Sequence, residues 1–120
     1  MNHMREIWIS TNVTNKQYNV IIAVSNKGRI MRRNGTIEYS RYMQECKKDG
    51  KRILIHKLLA EYFIPKTEDD IMKQRTCIDH ITHYPKDMCI NDIRNMRWCT
   101  HKENCNFEER IHNLSIAKKR

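Results

Sequence analysis

A carboxylate, an imidazole and an amide occur at positions where they could act together on a phosphate ester. Asp79 and His80 lie at the end of an expected strand, and Asn104 falls in the first turn of an expected helix. If a second strand between them folds back on the first, Asp79 and Asn104 could offer two oxygen ligands to one divalent cation. His80 would then act as general base and take a proton from the water that attacks phosphorus. The chemistry predicted is phosphodiester hydrolysis.

The spacing of these residues does not by itself establish catalysis. An aspartate beside a histidine is also common as a hydrogen-bonded pair at a protein surface, with no reaction to carry out. Both interpretations of Asp79 and His80 stay open on spacing alone.

The back half of the chain has the pattern of a strand, a loop, a strand and a helix. A short strand is expected over Thr76–Asp79, then a polar loop over 82–92, and a returning strand over Met96–Cys99. The helix should begin at Thr100, because Thr100 and Glu103 have the spacing of a capping box. This order would bring the first turn of the helix back to the first strand.

A short helix precedes this unit and ends at Pro65, because proline cannot continue a helix. Its apolar residues recur at helical spacing. They are Leu58, Leu59, Tyr62 and Phe63. The polar and acidic segment 66–75 is expected to be a loop that could include one turn of helix.

The front half of the chain is typical of antiparallel strands. We expect a strand over Gln17–Val24, a turn over Ser25–Gly28 and a returning strand over Arg29–Arg32. Asp49-Gly50 is a strong signal for a two-residue hairpin turn, followed by a strand over Lys51–Ile55. The fold class expected from these patterns is α+β, with a small antiparallel sheet in front.

The chain is basic, and the charge is unevenly placed. Its 120 residues carry a net charge of +9, and residues 1–60 hold 12 Lys/Arg against 4 Asp/Glu. Phosphate binding needs such a surface, because neutralised phosphates release condensed counterions; the alternative is a solvated face without a partner. The residues around the first turn that could contact phosphate are Lys27, Arg29, Arg32 and Arg33. Charge alone does not separate DNA, RNA and an anionic membrane, but no long basic amphipathic helix is visible.

The sequence predicts a cytoplasmic protein. No apolar run approaches the roughly 20 residues that cross a bilayer, and the N-terminus lacks the apolar core of a secretory signal. The five cysteines include no pair with CxxC spacing, so neither a disulfide framework nor a structural zinc site is favoured. His83, His101 and His112 remain as surface histidines or, with nearby cysteines, as zinc ligands.

Four segments together resemble one family. Residues 55–65 (IHKLLAEYFIP), 78–81 (IDHI) and 91–104 (NDIRNMRWCTHKEN) are similar, in this order, to three motifs of phage-type HNH homing endonucleases. Upstream, residues 23–30 (AVSNKGRI) resemble a signature of the small β modules that often precede this nuclease.

The resemblance implies an N-terminal antiparallel β module followed by a ββα-metal (HNH) nuclease unit. The corresponding units are 1–54, a DNA-binding β module; 55–110, the nuclease; and 111–120, a basic tail. The implied activity is cleavage of double-stranded DNA, by nicking or double-strand cutting, with Mg²⁺ or Mn²⁺. No small-molecule cofactor and no membrane partner are implied, and the chain would act as a monomer or homodimer of phage, viral or bacterial origin.

The family's roles transfer residue by residue. Asp79 and Asn104 are implied as metal ligands, His80 as general base, and Asn95 as the catalytic-site asparagine that ties the loop together by hydrogen bonds. The further DNA contacts expected are Lys57, Arg97 and Lys102.

Several alternatives stay open. His56 precedes the short helix and would either pack or contact phosphate, and Trp98 is expected in the core rather than stacked on a base. A homing or mobile-element role fits the β module better than a restriction-type role. The rivals from other classes are a catalytically silent DNA-binding module and an RNA-directed nuclease.

Overall fold

Short antiparallel strands and a few short helices make up a mixed α+β fold, seen in a computed structural model that describes residues 4–105. The strands are β1 (Trp8–Ser10), β2 (Ile21–Ser25), β3 (Arg29–Arg32), β4 (Ile37–Tyr39), β5 (Glu45–Lys48), β6 (Lys51–Leu54), β7 (Cys77–His80) and β8 (Met96–Cys99). The helices are α1 (Ile55–Phe63), α2 (Glu68–Met72), a 3₁₀ turn (Ile93–Asn95) and α3, described over residues 101–105.

Strands β1 to β4 form one antiparallel sheet in chain order. The predicted turn over Ser25–Gly28 is confirmed, with Val24 opposite Ile30 in the register of β2 and β3. The prediction of a strand from Gln17 was wrong for residues 17–20. The backbone N–H of Val20 donates to the carbonyl of Gln17, so the chain turns there and β2 begins at Ile21.

The second predicted hairpin is a separate two-stranded sheet, β5–β6, with Lys48 opposite Lys51. Asp49 and Gly50 both have positive φ, 53° and 81°, as a two-residue turn of type I′ requires. The turn is tied to the first sheet, because the backbone N–H of Asp49 donates to the carbonyl of Thr11 at 3.0 Å.

One hydrophobic core joins the front and back halves of the chain. Helix α1 buries Ile55, Leu58 and Leu59, as its apolar spacing predicted. These side chains pack with buried residues of the front sheets and of β8, which are Ile9, Val24, Ile30, Cys46 and Met96. The predicted β module and nuclease unit therefore share their apolar packing, and each helps to hold the other in place.

The back half follows the predicted order of elements. Strands β7 and β8 pair antiparallel, with His80 opposite Met96. The capping box at the start of α3 is confirmed: the backbone N–H of Thr100 donates to Glu103 Oε1 at 2.8 Å, and that of Glu103 donates to Thr100 Oγ1 at 3.1 Å. Trp98 is buried, as predicted, and its indole N–H donates to the carbonyl of Ile64.

Segment 66–75, predicted to be mainly loop, contains the five-residue helix α2. The predicted basic tail 111–120 and His112 lie outside the described residues. Across residues 4–105 no helix has the length and apolar character needed to cross a bilayer.

Candidate active site

Asp79, His80 and Asn104 line one cavity of about 360 Å³. The first two stand at the end of β7, and the third stands in the first turn of α3, so the β7–β8 hairpin and the helix start bring them together. Helix α1 supplies His56 and Lys57 to the same wall. The rest of the lining consists of Tyr42, Met43, Thr76, Cys77, Ile78 and His83.

The imidazole of His80 is buried and held at one nitrogen. Its Nε2 lies 2.9 Å from Asn91 Oδ1. The amide orientation of Asn91 is fixed by its other end, because Nδ2 donates to the carbonyl oxygen of Arg41, which can only accept, at 3.0 Å. Nε2 must therefore carry the proton, and the lone pair of His80 is on Nδ1. That is the tautomer in which Nδ1 can accept a proton from water.

Burial also sets the charge of His80. Desolvation lowers the pKa of this imidazole below its ordinary value of 6.5, although the hydrogen bond to Asn91 raises it in part. The ring is therefore neutral at pH 7, as a general base needs to be. The edge of the Tyr42 ring packs on it with the centroids 5.3 Å apart, which further limits its orientation.

Asn91 is held in place by the first turn of the front sheet. A Cβ on Gly28 would lie 2.8 Å from the backbone carbon of Asn91, so only glycine allows this close approach. The backbone N–H of Ile93 donates to the carbonyl of Asn26 at 3.0 Å. Ser40 Oγ, which donates to the carbonyl of Gly28, accepts a second hydrogen bond from Asn91. The Ser25–Gly28 turn thus orients His80 through the loop.

Asp79 is a buried carboxylate, 4% exposed, on the strand that faces β8. Its Oδ2 accepts a hydrogen bond from Arg97 Nε at 3.1 Å. Within residues 4–105 no three His, Cys, Asp or Glu side chains come together as a metal cage, and the cysteines described there are all free thiols. One carboxylate and one amide fit a hard cation such as Mg²⁺, which keeps several waters and takes further oxygen ligands from a phosphate.

The position of Asn104 depends on an ion-pair network that the sequence did not reveal. Arg75 Nε bonds to Glu103 Oε1 at 3.0 Å, and its guanidinium also pairs with Asp69 and Asp70 of α2. The hydrogen bond from Arg75 and the capping hydrogen bond donated by the backbone N–H of Thr100 lower the pKa of Glu103 to about 2. The first turn of α3 is thereby anchored to α2 as well as capped.

Asn95 closes the loop between β7 and β8. Its side-chain amide donates to the carbonyls of Thr82 and Ile90, and its Oδ1 accepts from the backbone N–H of Thr82. These are the loop-tying bonds that the resemblance implied for Asn95. The hydrogen bond to His80 comes from a different asparagine, Asn91, which sequence reasoning did not single out.

The basic residues predicted around the first turn are largely engaged within the protein. Arg29 forms an ion pair with Glu6, and its Nε donates to Glu6 Oε2 at 2.9 Å. Arg32 pairs with Glu38 at 2.9 Å. Arg33 donates to the carbonyl of Asn15 at 2.8 Å. These contacts reduce the charge that the first turn offers to a phosphate.

The other predicted DNA contacts fall in different surroundings. Lys27 is half-buried in the turn beside Glu6. Lys57 is exposed at the cavity wall, Lys102 is exposed on α3, and Arg97 bonds to Asp79. The structure therefore places Lys57 at the cavity, whereas Arg97 is linked to it only through its bond to Asp79. Lys27 lines a different pocket, beside Cys89 and Asp92.

Comparison of the chain with models of protein families, with curated proteins and with solved structures found no match.

Proposed function

We propose that this protein is a metal-dependent DNA endonuclease of the HNH type that hydrolyses phosphodiester bonds, with a homing or mobile-element role. One observation carries the proposal: Asp79, His80 and Asn104, predicted to act together, line the same cavity. The order β7, β8 and α3 matches that of a ββα-metal unit, which supports the same assignment.

In the proposed mechanism His80 accepts a proton from the attacking water at Nδ1, because Asn91 holds the proton on Nε2. Asp79 and Asn104 would hold a divalent cation through a carboxylate and an amide oxygen. The bound cation would supply stabilisation of the charge that develops on the phosphate and on the leaving oxygen. Arg97, which bonds to Asp79, orients the carboxylate from the neighbouring strand.

A plasmid assay tests the proposal. Supercoiled DNA incubated with the protein and Mg²⁺ or Mn²⁺ should become nicked or linear, and a chelator should prevent this. Intact plasmid with every divalent metal would contradict the enzyme and leave a DNA-binding module. A parallel RNA digest distinguishes an RNA-directed nuclease, and a methylation-sensitive or short palindromic cut site would indicate a restriction-type enzyme.

Two variants assign the roles. His80→Ala should lower the rate at saturating DNA by at least about 100-fold, the usual contribution of a general base, while DNA affinity in a gel-shift assay stays nearly unchanged. Asn104→Ala should raise the metal concentration needed for half-maximal cutting. If His80→Ala weakens binding as much as cleavage, or Asn104→Ala cuts normally at limiting metal, the corresponding role is wrong.

A further inference from the structure

His56 contains a polar atom that the fold leaves without a partner. Its side chain is 8% exposed, and its Nδ1 is the one side-chain nitrogen or oxygen in residues 4–105 that is both sealed from solvent and unbonded. Buried polar atoms nearly always have a hydrogen-bond partner, so no internal hydrogen bond accounts for a histidine at this position. The His56 ring contacts the His80 ring, with the centroids 5.0 Å apart.

The other ring nitrogen of His56, Nε2, is suited to donate a hydrogen bond. A proton on the sealed Nδ1 would have no acceptor, so the favoured tautomer carries it on Nε2. The ring lines the cavity, and with Nδ1 sealed inside the protein Nε2 is the nitrogen that it can present there. Desolvation lowers the pKa of His56 to about 4, so the ring is neutral and acts as a donor rather than as a charge.

The start of α1 adds positive potential beside this ring. The backbone N–H of Ile55 donates to the carbonyl of Gln44, but the helix has no side-chain cap at Leu54 and no acidic residue in its first turn. No side-chain charge therefore compensates the positive end of its dipole. Lys57 lines the same cavity, is exposed, and makes no ion pair with the described part of the chain. A neutral donor, a free ammonium and a helix N-terminus together favour an anion.

We propose that His56 and Lys57 form a phosphate-binding subsite that holds a non-bridging oxygen of the DNA phosphate next to His80. The subsite rests on the proposed function for the identity of its ligand, because His80 acts on that same phosphate. His56 donates through Nε2, and Lys57 supplies the charge. The subsite positions the phosphate for attack and takes no part in proton transfer.

Phosphate binding can be measured without cleavage. In a two-dimensional NMR spectrum of histidine ring nitrogens, inorganic phosphate added to metal-free wild-type protein with chelator should shift the Nε2 resonance of His56 and saturate. Lys57→Ala should need a several-fold higher phosphate concentration. The control Lys73→Ala, which removes an exposed lysine at the end of α2, should not. If the Nε2 resonance of His56 in the wild-type protein does not shift with phosphate, the proposed subsite is wrong.

Cleavage kinetics test the same subsite with DNA. His56→Leu should lower kcat/KM by about 10- to 100-fold, the usual effect of losing a hydrogen bond to a charged group. His56→Gln, whose amide can place a donor near the position of Nε2, should recover most of that loss, and thermal melting should show both variants folded. Equal losses in folded Leu and Gln variants would indicate packing alone and overturn the proposal.

The two experiments separate the two proposals. If phosphate shifts the His56 resonance of the wild-type protein but the protein cuts no DNA, the phosphate subsite is supported and the endonuclease assignment is wrong. If the protein cuts DNA while His56 and Lys57 variants keep wild-type kcat/KM and phosphate has no effect on His56, the endonuclease stands and the subsite fails.

Discussion

The first turn (Ser25–Gly28) and the cavity at β7 are both rich in polar groups, but they use them differently. At the turn, the Ser25 hydroxyl donates to Glu6 and accepts from backbone N–H groups, and Arg29 pairs with Glu6. At the cavity, His56 Nε2 and the exposed Lys57 make no hydrogen bond or ion pair with the described part of the chain. Saturated groups stabilise a fold, whereas groups with unused hydrogen-bonding capacity can bind a ligand.

Residues 24–28 (VSNKG) position the interior of the protein rather than a phosphate. Sequence reasoning placed phosphate contacts there, yet its hydrogen bonds face inward, to the N-terminal strand and to the Asn91 loop. The turn is connected to the cavity through Asn91, and we expect it to affect the proposed reaction by positioning His80. The variants below test that connection.

The largest effect is expected at Asn91, where the two regions meet. Asn91→Leu removes the acceptor of the His80 Nε2 proton, so the ring can adopt the wrong tautomer, and kcat should fall by about 100-fold or more. Ser40→Ala is the control, since it removes one hydrogen bond that Asn91 Nδ2 donates but leaves the one to the carbonyl of Arg41. Single-turnover cleavage measures both, and an equal loss in the two variants would contradict tautomer control by Asn91.

A methyl group at Gly28 should be the next most disruptive change. Gly28→Ala combines a φ of +78° with a Cβ only 2.8 Å from Asn91, so the free energy of unfolding should fall by about 2–4 kcal/mol. Gly50→Ala is a matched control, because its φ is +81° but nothing lies within 4 Å of the added Cβ. It should cost only about 1–2 kcal/mol. Urea denaturation compares them, and similar losses would mean that the close approach at Gly28 contributes little.

Removal of the Arg29–Glu6 pair should change DNA affinity less than removal of Lys57. The double variant Glu6→Gln with Arg29→Gln keeps the net charge of the first turn and should bind DNA nearly as well as the wild type. Lys57→Ala should lower the slope of log affinity against log salt by about 0.9, the loss of one phosphate contact. Fluorescence anisotropy at several salt concentrations measures both variants. A larger loss of DNA affinity in the double variant than in Lys57→Ala would indicate that the first turn contacts DNA.

The smallest effect is a pH dependence at the first turn. The hydrogen bond from Arg29 lowers the pKa of Glu6 below 4.5, despite partial burial. A lowered folded-state pKa means that the pair contributes stability above about pH 4.5, and that this contribution is lost as pH falls through the folded value. The wild type should therefore lose more stability than Glu6→Gln between pH 6 and 3 in thermal melts. Parallel pH profiles would show that the pair contributes nothing measurable.

Local sequence patterns predicted much of the fold. Asp49-Gly50 determined the β5–β6 hairpin because few residue pairs tolerate two positive φ angles, and the Thr100–Glu103 capping box marked the start of α3. The apolar spacing of Leu58 and Leu59 identified the buried face of α1. The strand expected from Gln17 began at Ile21, since a turn hydrogen bond at Val20 prevailed over the β-branched composition there.

The sequence by itself determined the elements of the candidate site, because these depend on residue type and short-range spacing. Spacing made Asp79, His80 and Asn104 candidates, and the family resemblance implied their roles and that of Asn95. Only the tertiary structure decided which asparagine holds His80, how Arg75 anchors α3, and that Arg29 faces Glu6. These contacts join residues 11, 28 and 23 positions apart, beyond the reach of a helical or turn pattern. Such pairings follow from how the sheets, the loop and the helices pack together, which no local pattern contains.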